Sequence, residues 1–103
     1  MKIVWFKSAI LDLISVKQYI AQDSPTAARQ VVARIGDAVS LLSTQPGIGR
    51  PGRVPNTKEL VIDRTPYILP YRVRDNRVEI LRVLHSSKRW PKSLPTKRGD
   101  PGA

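Results

Sequence analysis

Residues 58–84 run KELVIDRTPYILPYRVRDNRVEILRVL, and the punctuation of this stretch decides the fold. Three runs rich in β-branched and aromatic residues are separated by two short polar breaks. The first strand is Lys58–Ile62, with a turn at Asp63–Pro66. The second is Tyr67–Val73, with a turn at Arg74–Arg77, and the third is Arg77–Leu84. Connections this short suit only antiparallel neighbours. Pro70 is a local conflict, because proline has no N–H to give to a ladder. A two-residue turn at Asp75–Asn76 would set Pro70 opposite Leu81 at a hydrogen-bonded position. The sequence therefore favours a four-residue turn closing Val73 on Val78. That turn moves Pro70 to a non-bonded position and keeps Arg72 opposite Glu79, a favourable cross-strand pair.

Upstream of this meander the periodicity changes. Ile10, Leu13, Ile14 and Ile20 recur at three- and four-residue spacing, which predicts a helix capped by Ser8 and running to about Ala21. Gln22–Pro25 is a break and restart, with Ser24 or Asp23 as cap and Pro25 at the first helical position. A second helix then carries Ala28, Val31, Val32, Ile35, Ala38, Val39 and Leu42 on one face. It should stop near Thr44, ahead of Pro46–Gly47. Before the hairpin, Lys2–Phe6 (KIVWF) suits a strand. The expected fold is α+β: an N-terminal strand, an α-helical hairpin and a three-stranded antiparallel meander in one sheet, the hairpin packed on one face. The domain should span residues 1–91, and the polar tail at 92–103 should be disordered and basic.

The chain has 103 residues, enough for one core. No apolar run is long enough to span a bilayer, and the N-terminus lacks the features of a secretory signal. A cytoplasmic protein is expected. The charge is +10, and it is uneven. Residues 1–47 carry five basic side chains against three acidic ones, and residues 48–103 carry thirteen against five. Such a field concentrates anions near one part of the surface, so nucleic acid, ribosome or an acidic protein are the partner classes.

The residue types also limit the chemistry. The chain has no cysteine and a single histidine, His85, and its eight acidic residues are scattered. No metal-ligand spacing and no phosphate-binding glycine loop is present, so no metal, cofactor or small-molecule substrate is expected. What remains is metal-free acid–base work or macromolecular binding. Arg82, His85, Lys88 and Arg89 crowd the end of the last strand, with Arg72 on its neighbour. Such a group could bind a phosphate, and His85 is the side chain suited to proton transfer near neutral pH. A lone histidine ending a strand is more often packed than catalytic, and arginines are commonly a solvated face. Trp90, between Arg89 and Pro91, suits an anchor at the edge of the core better than a base-stacking platform.

Three stretches taken in order resemble the ParE/RelE family of bacterial type II toxins: Asp12–Leu13 through Tyr19–Ile20–Ala21, RVPNTKELVI at 53–62, and PYILPYRV with VEILRVLHSSKRWP across 66–91. The resemblance spans about residues 2–91. It implies a small basic toxin that inhibits growth, serves in plasmid stabilisation and is neutralised by a cognate acidic antitoxin wrapping around it. RelE-type members cleave mRNA on the ribosome with basic side chains and a C-terminal Tyr or His. That reading would give Arg82, His85, Lys88 and Arg89 catalytic roles. ParE-type members inhibit DNA gyrase and are not nucleases. Where RelE-type enzymes carry a lysine-rich strand, this chain has Glu59–Leu60–Val61–Ile62, and Ile68 stands where they place an arginine. The resemblance therefore points to ParE-like action, with Arg72, Arg82, His85, Lys88, Arg89 and Trp90 as the target-binding set. The alternatives are a RelE-like endoribonuclease and a non-catalytic nucleic-acid-binding module.

Overall fold

The restart between the helices forms as its residues dictate: Ser24 Oγ accepts the N–H of Ala27 at 3.1 Å, and Pro25 opens the helix. In the computed structural model, which describes residues 1–95, the elements are β1 (Lys2–Trp5), α1 (Lys7–Ala21), α2 (Pro25–Leu41), β2 (Arg50–Pro51), β3 (Lys58–Val61), β4 (Tyr67–Arg74), β5 (Arg77–Ile80) and β6 (Leu84–His85). The sheet order is β1-β5-β4-β3-β2, with β6 also beside β4. β1 lies parallel to β5, and the other pairs are antiparallel. None of the described helices is long and apolar enough to cross a membrane. Most of the tail expected to be disordered, residues 96–103, lies outside the described residues.

The core lies between the helical hairpin and one sheet face. Ala9, Ile35, Val39 and Leu42 meet Leu60, Tyr67, Leu69, Tyr71, Val78 and Ile80, all buried. Each large aliphatic side chain buried this way stabilises the fold by roughly 1.5–3 kcal/mol. Ile14, expected on the apolar stripe of α1, is instead half exposed, while Val16 packs against the core.

The Pro70 conflict is resolved differently from the sequence expectation. The β4–β5 connection is the two-residue turn, with Asp75 and Asn76 both at positive φ (53° and 59°) and Arg74 paired with Arg77. Positive φ at both central residues is the turn geometry whose twist matches the flanking strands, and Asp and Asn tolerate it better than most residues. Arg72 does lie opposite Glu79. Pro70 therefore sits at a hydrogen-bonded position, where its carbonyl accepts the N–H of Leu81 at 2.9 Å. The Leu81 carbonyl, which proline cannot satisfy, accepts the hydroxyl of Ser8 at 3.1 Å. Ser8 is thus not the cap of α1. The cap position is Phe6, without a side-chain bond, and Ser8 supplies the hydrogen bond that Pro70 withholds.

The third meander strand is also broken. β4 pairs with β5 in the register Tyr71–Ile80, whereas Tyr67 pairs with His85 and Ile68 with Leu84. The register shifts by one residue, so Arg82 and Val83 together oppose Leu69. This is a β-bulge.

Tyr71 ties the Gly/Pro loop to the core. Its hydroxyl donates to Pro46 O at 2.8 Å and accepts the N–H of Gly49 at 2.9 Å. A Cβ at Gly49 would lie 2.6 Å from that oxygen, so the loop approaches this closely only with glycine. Burial raises the Tyr71 phenol above its ordinary 10.0, partly offset by the Gly49 amide. Burial, then the neighbouring Tyr19, raises Tyr67. In both cases the unfolded chain releases its proton first. Their contribution is therefore complete below pH 10 and falls as pH rises beyond it. Denaturant titrations between about pH 9 and 12 should show wild-type stability falling more steeply than that of Tyr71→Phe. Parallel curves would remove Tyr71 as a source of the alkaline loss.

Candidate functional site

The bulge leaves the Val83 N–H without a ladder partner, and the carboxylate of Asp12 on α1 accepts it at 3.0 Å. The same carboxylate receives the Arg82 guanidinium through two N–H groups. α1 is thereby clamped alongside the end of the sheet, and beside the clamp a groove of about 320 Å³ opens between α1 and β6. Tyr19, Tyr67 and Trp90 give it aromatic walls, and His85, Lys88 and Arg89 give it polar and cationic groups. The Lys88 ammonium lies 5.0 Å from the Tyr19 ring centroid, a cation–π arrangement.

The His85 and Tyr67 rings meet edge to face, 5.5 Å apart and 85° between planes. His85 Nδ1 accepts the N–H of Ser87 at 3.2 Å and lies 3.0 Å from Ser87 Oγ. This network puts the proton of the neutral ring on Nε2, so the imidazole offers a donor at that nitrogen. Trp90 Nε1–H donates to His85 O at 3.2 Å, which folds residues 85–90 back on themselves. Arg53 stacks 3.7 Å over the Trp90 ring, linking the Gly/Pro loop to the groove wall. Trp90 is half buried.

His85, Lys88, Arg89 and Trp90 therefore come together, and the other two residues of the predicted set do not join them. Arg82 is not among the residues that line the groove and is held by Asp12. Arg72 projects from the sheet face away from the helices, where it and Arg77 bind the buried carboxylate of Glu79. The strand position of Arg72 beside the last strand suggested proximity, but strand alternation sends its side chain to the other face. Glu59, on that same face, is 3 % exposed, and it accepts Arg50 Nε at 3.1 Å and the Arg53 N–H at 2.9 Å. Tyr19 and Tyr67 were missed as groove residues. The available signal was Tyr19, an exposed aromatic on an otherwise polar helix face.

Comparison with known proteins gives consistent matches. The family model described as ParE toxin of type II toxin-antitoxin system, parDE, matches residues 3–90. The chain is 47 % identical over 93 residues to Y4kP of Sinorhizobium fredii (strain NBRC 101917 / NGR234), covering 90 % of this chain and 96 % of that protein. It is 34 % identical over 87 residues to Toxin RelE2 of Caulobacter vibrioides, covering 84 % and 97 %. Among solved structures, a chain of the chromosomal ParDE TA system from P. aeruginosa superposes with a TM-score of 0.74 at 31 % identity, covering 82 % of this chain and 95 % of that one.

Proposed function

Since this chain belongs to the ParE toxin family of type II toxin–antitoxin systems, we propose that it acts in the cytoplasm by docking the groove between α1 and β6 on DNA gyrase, without nuclease activity of its own. Its cognate antitoxin holds it inactive. The docking surface is His85, Lys88, Arg89 and Trp90 together with Tyr19 and Tyr67, an aromatic centre with a cationic rim of the kind that supplies binding hot spots.

The observation that carries this reading is the commitment of charge. Metal-free RNA cleavage needs cations aimed at a phosphate as negative charge builds, and losing one such donor costs about a hundredfold or more. Here Arg50, Arg72, Arg77 and Arg82 are engaged with Glu59, Glu79 and Asp12. Among the described residues that line the groove, only Lys88 and Arg89 are cations without a carboxylate partner. His85 Nδ1 accepts the Ser87 amide, so in the neutral ring the other nitrogen is a donor rather than a base. Docking on a protein needs none of these groups to be free.

The test is to induce the chain without its antitoxin and to add purified protein to gyrase and to a cell-free translation extract. Growth arrest with a DNA-damage response, loss of supercoiling and continued translation is the expected outcome. Arrested translation with supercoiling untouched would overturn the gyrase reading in favour of ribosome-dependent mRNA cleavage. Salt-sensitive binding to any nucleic acid, without either effect, would favour the plain binding module.

A further inference from the structure

Side chains alternate across a strand, so a one-residue register shift exchanges which residues face each side. With the β4–β5 register continued past Leu81, Leu84 would stand opposite Tyr67 and His85 would turn to the far face. The bulge at Arg82–Val83 inserts the extra residue that places Val83 in the core and His85 opposite Tyr67. His85 reaches the groove only because the bulge is there.

A bulge leaves an N–H out of the ladder, and at Val83 the surroundings are buried. Asp12 Oδ2 accepts that amide together with Arg82 Nε, and Oδ1 accepts the second guanidinium N–H of Arg82. Asp12 itself lines the groove, yet both of its oxygens are turned to the bulge. We infer that Asp12 is a positioning residue for the docking groove. By accepting the Val83 amide it stabilises the bulged register over the regular one, and so determines that His85, rather than Leu84, is presented beside Tyr67. The control lies in the amide acceptor, and the Arg82 ion pair holds the carboxylate in place for it. This inference rests on the proposed groove for its effect on toxicity, but the register control stands on geometry alone.

The experiment follows contacts between the His85 and Tyr67 rings by NMR in the full-length chain, alongside gyrase inhibition. The wild type should show ring-to-ring cross-peaks. Folded Asp12→Ala should lose them and lose inhibition by roughly tenfold or more, the scale of a disrupted interface centre. Asp12→Asn keeps an oxygen acceptor for Val83 and removes the ion pair, and it should retain the cross-peaks. Cross-peaks that persist in folded Asp12→Ala would overturn the inference. So would their loss in folded Asp12→Asn, even if the alanine variant does not fold. Loss of the cross-peaks in Asp12→Ala with inhibition unchanged would uphold the register control and sink the groove as the gyrase-docking surface.

Discussion

Replacing Glu79 by alanine is expected to destabilise the protein by about 3–5 kcal/mol, a large part of the stability of a domain this size. Glu79 is completely buried, with Oε1 taken by Arg72 and Oε2 by Arg77. The Arg72 side chain is only 11 % exposed, and its guanidinium lies 5.9 Å from the Phe6 ring. One of its nitrogens already lacks a hydrogen-bond partner. Without the carboxylate, Arg72 would be an uncompensated charge in a place that water reaches poorly, whereas Arg77, one-third exposed, can turn to solvent. The double variant Glu79→Leu with Arg72→Met should recover most of the loss, because burying an ion pair returns little net energy over a well-packed apolar pair. Chemical denaturation of the single and double variants measures both values. Equal losses in the two would show that the pair contributes through packing and not through charge compensation.

Trp90→Ala is expected to weaken gyrase inhibition by about 2 kcal/mol or more, roughly thirtyfold, with a much smaller effect on the melting temperature. The indole forms one wall of the groove, caps the 85–90 turn through His85 O and carries the Arg53 guanidinium on its face. It is half buried and outside the central apolar cluster, so its removal opens little of the core. Lys88→Ala should act differently. An exposed cation at the rim mainly speeds encounter, so its loss should lower the association rate and flatten the salt dependence. Dose–response curves for supercoiling inhibition at two ionic strengths, with melting curves as control, distinguish the two effects. Undiminished inhibition by Trp90→Ala at intact stability would remove this groove from the docking surface.

The predicted target-binding set shows how far residue order foretells which side chains come together. His85, Lys88, Arg89 and Trp90 are close in sequence, and a short return of the chain after β6 was enough to gather them. Arg72 and Arg82 are basic by composition, yet each is bound to a carboxylate from a distant or cross-strand position, Asp12 being 70 residues from Arg82. A pairing over that separation leaves no local pattern. Glu59 looked like an acid standing where a phosphate-binding strand would need a base. In the fold it organises the Gly/Pro loop through Arg50 and Arg53.

What the sequence by itself determined is whatever rests on local stereochemistry and periodicity. The Ser24–Pro25 restart, the apolar face of α2, the three β-rich runs and the α+β order follow from caps, turn residues and spacing that act within a few residues. The β4–β5 register was legible too, since Arg72 opposite Glu79 is favoured by charge and pattern alike. Only the tertiary structure decided the turn that joins β4 to β5, because its cost at Pro70 is offset by Ser8 from the start of α1. The bulge at Arg82–Val83 belongs to the same class, with an amide freed in one element and satisfied by a carboxylate in another. In both places a local rule is broken on one strand, and the missing hydrogen bond comes from a helix far away in the chain, where no window of sequence contains both partners.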